Sequence, residues 1–493
     1  MVTQELSHGS PLDLPVLVVD LDGTLLRTDM LLESFANVLH HAPISLWALP
    51  LWLARGKARL KQELAQRAQI DVRTLPYDPD VLALLAEARA MKRRIVPCTA
   101  SDRELAKAIA GHLKLFDEVL ASDGVVNLSG GNKAADLVRR YGRGGFDYVG
   151  NSRDDLAVWQ EARRAVVVSS SESLISAARK VCEVERIITP PSPGIRTVAK
   201  GLRVHQWLKN VLLFVPMFAS HRVSSPDLWF KLILAFAAFS LCASMVYILN
   251  DLIDLDSDRR HPRKSKRVFA SGQLSILTGI LLALALGLAS LALALVVGPP
   301  FVGALVLYCG LTSAYSFGLK RILLVDCLVL AGLYTLRIIA GAEAIDQPMS
   351  LWLLGFSFFL FLSLSYVKRF TEVSGVPKSA DEKPSNGKIA GRSYIASDAP
   401  ILGLLGVGAG YASAVVLANY LNSDAVRQLY ARPSVLTGLV PILLFWISWV
   451  WLKASRGEMP DDPVIFAVKD RVSQLAGVAF ALVVLLGAKG LPW

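Results

Sequence analysis

Cysteine is scarce and scattered: Cys98, Cys182, Cys242, Cys309 and Cys327 are the five thiols in 493 residues. Their spacing fits neither a metal knuckle nor a disulfide framework. The opening stretch MVTQELSHGSPLDLP lacks the apolar core of a secretory signal, so the domain that follows is expected to stay in the cytosol. Charge is thin as well, 19% against 53% hydrophobic, an imbalance unusual for a soluble chain. The apolar excess is uneven. Residues 1–195 are mixed and charged, whereas from Trp207 onward apolar runs alternate with short charged loops. The net charge is +11, and the basic residues sit in those loops. That pattern favours a membrane over nucleic acid as the partner.

At this length two or more domains are expected. Residues 15–170 read as α/β, with Pro15–Val19, Ile95–Cys98 and Ala165–Val168 as buried parallel strands. Residues 30–76 read as a helical insertion after the first strand. Its stretch Ile44–Ala54 is apolar and is followed by Arg55, Lys57, Arg59 and Lys61. It is too short to span a bilayer, which leaves a helix on the membrane surface or one packed inside a cap. Thr189–Gly194, TPPSPG, reads as a linker. The expected domains are 1–188 with the cap insertion, a linker over 189–199, and a membrane domain over 200–493.

Nine apolar segments follow, near 207–220, 232–249, 276–298, 301–314, 322–342, 351–367, 401–418, 435–452 and 475–488. The loops after the second, fourth, sixth and eighth hold Arg259, Arg260, Arg263, Lys264, Lys266, Arg267, Lys320, Arg321, Lys368, Arg369, Lys378, Lys383, Lys388, Arg392, Lys453, Arg456, Lys469 and Arg471. The opposite loops hold Arg222, Arg427 and Arg432, with Lys489 near the end. By the positive-inside rule this predicts nine spans in the plasma membrane, a cytosolic N-terminal domain and an external C-terminus.

Two candidate sites stand out. The first is Asp20-Leu21-Asp22-Gly23-Thr24, just past a buried strand. Two carboxylates two residues apart suit phosphoryl transfer, one attacking phosphorus and the other donating a proton. DxDGT after a strand resembles the first motif of haloacid-dehalogenase phosphatases. That resemblance implies a Rossmann-like fold with a small helical cap, and phosphate held by Thr99 and Lys133. Gly150-Asn151-Ser152-Arg153-Asp154-Asp155 resembles the family's GDxxxD motif, so Asp20, Asp22, Asn151 and Asp155, or Asp154, are the implied magnesium ligands. Asn151 stands where the family has an aspartate and costs the site one charge. A phosphatase fold kept as an inactive scaffold is the alternative.

The second site is Asn250-Asp251-Leu252-Ile253-Asp254-Leu255-Asp256-Ser257-Asp258, at the end of a span. On a helix Asn250, Asp254 and Asp258 share one face, with Asp251 beside them. Carboxylates so close repel unless a cation lies between them, and magnesium with a diphosphate suits such a group. NDxxDxxxD resembles the first aspartate motif of the UbiA prenyltransferase superfamily, implying an all-α polytopic bundle. The second aspartate motif usual after span six is replaced by Lys368, Arg369 and Glu372. With Tyr315, Lys320, Asp326, Arg337, the QWLKN stretch containing Lys209 and the Asp461-Asp462-Pro463-Val464 stretch, the set is similar to the decaprenyl-phosphate phosphoribosyltransferase branch. That branch implies phosphoribosyl diphosphate and a polyprenyl phosphate as substrates and Mg²⁺ as cofactor. It also implies a role in cell-envelope synthesis, as a source of an arabinofuranose precursor. Asn250, Asp251, Asp254 and Asp258 would hold the metal. Lys264, Arg267, Lys320, Lys368 and Arg369 would hold phosphates, and Tyr315 and Glu372 ribose hydroxyls. Arg337, inside a span, calls for an anionic partner. Two other readings remain: a prenyltransferase using prenyl diphosphate and an aromatic or lipid acceptor, and a membrane scaffold or transporter. A homo-oligomer is left open.

Overall fold

The computed structural model describes residues 14–375, 393–460 and 462–489. Lys378, Lys383, Lys388, Arg392 and Asp461 lie outside the described residues. The described chain forms two compact units, one running through Leu202 and including Tyr247–Ala283, the other made of Arg203–Val246 and the chain from Leu284 onward.

In the first unit six parallel strands form one sheet: β1 Val16–Val19, β2 Ile95–Asp102, β3 Leu120–Ser122, β4 Phe146–Gly150, β5 Arg164–Val168 and β6 Glu183–Ile188, in the order β3-β2-β1-β4-β5-β6. Side chains alternate across the pleat. Leu17 and Val19 join a core on one face with Leu85 and Ile109, while Val18 joins Leu137 and Trp159 on the other. The order reverses beside β1, between β2 and β4. In open α/β sheets ligands bind outside the carboxyl ends of the strands at such a point, and Asp20 is the first residue past β1.

The insertion is helical as expected. Met30–His41, Leu49–Ala54 and Lys57–Arg67 gather around a small core of Val38, Trp52 and Leu64. Asp29 caps the first of these, accepting from Leu31 N and Leu32 N at 2.8 and 3.1 Å.

Among the described residues eight helices are long and apolar enough to cross a membrane: Pro226–Ile253, Ile276–Val297, Pro299–Phe317, Val325–Ala344, Leu351–Ser374, Ala396–Leu421, Pro433–Ser455 and Arg471–Ala488. The expected first span near 207–220 is not one of them. It is a 3-10 segment, Val204–Phe214, followed by the short helix Val215–Ala219 with Pro216 in its first turn. Eleven residues at about 2.0 Å rise and five at about 1.5 Å still reach about the 30 Å thickness of a hydrocarbon core.

Candidate active sites

The phosphatase-type site lies where the strand ends converge. Lys133, in the first turn of the helix Gly130–Tyr141, is buried and donates to Asp20 Oδ1 at 2.9 Å and to Tyr148 Oη at 2.8 Å. Burial raises the Asp20 carboxyl above its ordinary range, with Lys133 opposing the rise and Asp155 and Asp22 adding to it. Burial works against the Lys133 charge too, but Asp20 and Asp155 hold it above the ordinary lysine range. Asp22 accepts from Met30 N at 2.8 Å and from Ser101 Oγ at 2.5 Å. Burial, then Asp29, raises its pKa, so it keeps a proton at higher pH, as a general acid requires. Gly23 has φ +72°, and a Cβ there would stand 2.1 Å from Asn151 Nδ2. The turn needs glycine both for its left-handed backbone and to let Asn151 lie beside the DxDGT loop.

One expectation changes here. Thr99 lies within β2 rather than at its end and is fully buried; its Oγ1 accepts from Ser101 N at 3.0 Å. The hydroxyl that meets Asp22 closely is Ser101. Asp155 accepts from Tyr148 Oη, Asn151 N, Ser152 N and Ser152 Oγ at 2.8–3.0 Å. Three of these donors fall on Oδ2, which braces the loop, and one on Oδ1, and Asp155 lines a cavity with Asp20. Asp20, Asn151 and Oδ1 of Asp155 are the groups that would hold magnesium, which would shield the phosphoryl oxygens from the attacking carboxylate. Among the described residues no three His, Cys, Asp or Glu side chains are gathered as a metal site.

A cavity of about 450 Å³ opens over this centre, lined by Asp20, Asp22, Lys133 and Asn151 and also by Lys61, Ser275, Ile276 and Leu277. Lys61, which the sequence showed only as one of a basic run, reaches in from the cap and donates to Ala100 O at 2.8 Å. Burial, opposed by Asp22, Asp29 and Asp20, lowers its pKa. Ser275 precedes the membrane helix Ile276–Val297 and Leu277 lies in its first turn, so the start of a span forms part of the cavity wall.

The aspartate motif belongs to the same unit. The helical backbone runs on past Ile253: Asp254 N bonds Asn250 O at 2.9 Å and Asp258 N bonds Asp254 O at 2.8 Å. This supports the expected four-residue spacing, although Asp254 marks a break between Pro226–Ile253 and Leu255–Arg260. Arg267, expected on a phosphate, instead bridges Asp251 at 3.1 Å and Asp258 at 2.5 Å. Asp258 Oδ1 is buried without a hydrogen-bond partner, and burial raises the pKa of this carboxyl. An orphaned carboxylate oxygen is an acceptor that a cation would satisfy, so Asp258 fits a magnesium ligand, while Asp251, Asp254 and Asp258 are not drawn together as a three-carboxylate site in this structure. Lys264 lies exposed in the following turn.

The cap touches this motif. Glu33 and Arg259 are each 5% exposed by side chain; Arg259 donates to both Glu33 oxygens at 3.0 and 2.6 Å and to Ala270 O at 3.0 Å. His40 Nδ1 lies 3.9 Å from Asp254. Gly272, at φ +70°, lets its loop approach the phosphatase domain, where a Cβ would stand 2.9 Å from Arg27 Cβ. Breaking a buried pair from one side leaves an uncompensated charge, costing about 3 kcal/mol or more. Glu33→Ala is therefore expected to lower hydrogen-exchange protection of both Met30–His41 and Leu255–Arg260, and adding Arg259→Ala to restore part of it. Unchanged protection of both helices in Glu33→Ala would show that the pair fastens nothing.

In the second unit the predicted cations separate. Arg337 finds neutral partners in place of the anion expected: Asn210 Oδ1 at 2.9 Å, Leu333 O at 2.5 Å and Tyr308 Oη at 3.2 Å, with the rings of Phe239, Tyr308 and Tyr334 around it. It ties the Val204–Phe214 segment to two spans. Arg369 and Asp326 are both 0% exposed and lie 2.8 Å apart. Tyr394 Oη donates to Asp326 at 2.6 Å and Glu372 also pairs with Arg369. Arg369 and Asp326 are thus buried against each other. Lys209 pairs with Asp462 at 2.6 Å; burial acts to raise the Asp462 carboxyl, but Lys209 and Lys368 hold it below its usual range. Lys209, Lys368, Tyr315 and Lys320 are half-buried.

Residues 211–460 match the UbiA prenyltransferase family and residues 17–160 the haloacid dehalogenase-like hydrolases. The chain belongs to the UbiA prenyltransferase family and carries a haloacid dehalogenase-like domain at its N-terminal end. It is a multi-pass membrane protein. It is 35% identical to the uncharacterized protein y4nM of Sinorhizobium fredii over 94% of this chain and 89% of that one. It is 37% identical to the nodulation protein NoeC of Azorhizobium caulinodans over 59% and 93%. It is 30% identical to decaprenyl-phosphate phosphoribosyltransferase of Mycobacterium tuberculosis over 60% and 96%. A solved UbiA homologue from Archaeoglobus fulgidus bound to GPP and Mg2+ aligns at TM-score 0.44 and 16% identity, over 59% of this chain and 98% of that one.

Proposed function

We propose that the chain is a bifunctional, magnesium-dependent enzyme. Its membrane domain joins phosphoribosyl diphosphate to a polyprenyl phosphate, and its N-terminal domain then removes the ribose 5-phosphate. The observation that carries the tandem reading is the phosphatase cavity walled by the start of a membrane helix at Ser275–Leu277. A phosphate ester attached to a lipid meets that wall as it leaves the bilayer, whereas a freely soluble ester has no need of it. The transferase reading is supported by the relatives named decaprenyl-phosphate phosphoribosyltransferase and by Lys368, Arg369 and Glu372 standing where a second aspartate motif would be.

In the first reaction an oxygen of the polyprenyl phosphate attacks the anomeric carbon, the bond to diphosphate breaks, and diphosphate departs. Magnesium, when bound, neutralises the charge on that leaving group. Asn250, Asp251, Asp254 and Asp258 orient the diphosphate end, and Lys209, Lys368 and Lys320 are assigned to the remaining phosphates. In the second reaction Asp20 attacks phosphorus and the C5 oxygen leaves with the Asp22 proton. Water then hydrolyses the aspartyl phosphate, with Asp22 taking a proton back. Lys133 and Lys61 face the phosphoryl oxygens. The cap's contact with the basic loop after Ile253 supports a phosphatase on the same side as that loop, which the positive-inside rule assigns to the cytosol.

The reading is tested by incubating the protein in lipid with radiolabelled phosphoribosyl diphosphate, polyprenyl phosphate and Mg²⁺. Label is expected in the lipid phase. Product from a prenyl diphosphate and an aromatic acid instead, with no label from phosphoribosyl diphosphate, would replace it with aromatic prenyl transfer.

A further inference from the structure

The cap uses its apolar stretch in two directions. Trp52 faces inward against Val38 and Leu64, with the Arg67 guanidinium over its ring at 4.7 Å. Over the same Pro43–Ala54 stretch, Ile44 is 82% and Trp47 88% exposed, and Leu51 and Leu53 are about half exposed. The stretch packs within the cap, as one expectation had it, and leaves a second apolar surface uncovered. Soluble surfaces rarely gather large apolar side chains in this way without a partner. Exposed basic residues follow at once, Arg55 and Lys57, whereas Arg59 and Arg67 are engaged by Glu63. The cap is also fastened by Glu33–Arg259 to the stretch that in the chain joins the apolar helices Pro226–Ile253 and Ile276–Val297.

We propose that this face of the cap is a membrane-contact surface for an anionic leaflet. Ile44, Trp47, Leu51 and Leu53 enter the boundary between headgroups and acyl chains, where an indole sits well and an apolar face gains burial. Arg55 and Lys57 meet the headgroup phosphates within a Debye length. The charge next to the apolar patch selects lipid over a second copy of a chain that is itself strongly basic. The inference does not depend on the reaction assigned above.

The test uses the full-length protein in nanodiscs, with p-benzoylphenylalanine in place of Trp47 or, as a control, of Met91, an exposed apolar residue outside the cap. Illumination and peptide mass spectrometry are expected to find a lipid adduct at 47 and none at 91. Its yield should rise at least threefold when phosphatidylglycerol is mixed into phosphatidylcholine, and fall back when Arg55→Glu and Lys57→Glu are added. No lipid adduct at 47, equal adducts at both positions, or an adduct to a second protein chain would overturn the proposal. A yield indifferent to phosphatidylglycerol and to the charge reversal would overturn the anionic leaflet as the partner.

Discussion

Asp20→Asn is expected to accumulate the 5-phosphorylated polyprenyl-phosphoryl ribose while leaving its formation intact. The amide is nearly isosteric and keeps an oxygen facing Lys133, so the fold should hold, but it is a poor nucleophile toward phosphorus. The second step should fall by about three orders of magnitude or more, some 4 kcal/mol of barrier. Wild type should yield the dephosphorylated lipid under the same conditions. Mass spectrometry of the lipid phase separates the two products by one phosphate. If wild type and Asp20→Asn give the same lipid, the domain does not act on this product, whatever else its chemistry serves.

The second large effect falls on the other site. Asp251→Ala and Asp254→Ala should each cut lipid labelling from phosphoribosyl diphosphate by about 100-fold or more, because the leaving diphosphate loses its metal. EDTA should do the same to wild type. Asp251→Ala still leaves Arg267 bonded to Asp258, so the loop keeps an anchor and the protein should purify as wild type does. Near-normal labelling in either variant, or indifference to EDTA, would remove the aspartate motif from the reaction.

These predictions could be framed because both motifs are local. DxDGT follows a β-branched run that forms a buried strand, and a reactive pair two residues apart needs only the strand's end to be displayed. NDxxDxxxD acts through four-residue spacing, which the continued helical hydrogen bonds preserve past Ile253. Composition was equally direct for the membrane helices, since hydrophobic length is a property of consecutive residues. The segment 207–220 shows where that ends: its apolar content is clear, but Lys209 and Asn210 lie in a 3-10 segment and Pro216 opens a separate short helix.

The amino-acid sequence by itself determined the two families, the Rossmann-like sheet with its nucleophile, and the apolar helices, because each depends on period, run length or short spacing along the chain. The tertiary structure alone decided which charges face each other. That Arg369 meets Asp326, 43 residues away, in a buried pair could not be read from the chain. That Oδ2 of Asp155 is taken up by three donors of its own loop was equally hidden. Lys61 reads as surface charge until the cap turns it toward Asp22. Buried charge must be matched, and the partner that matches it is chosen by folding in three dimensions, where separation along the chain carries no information.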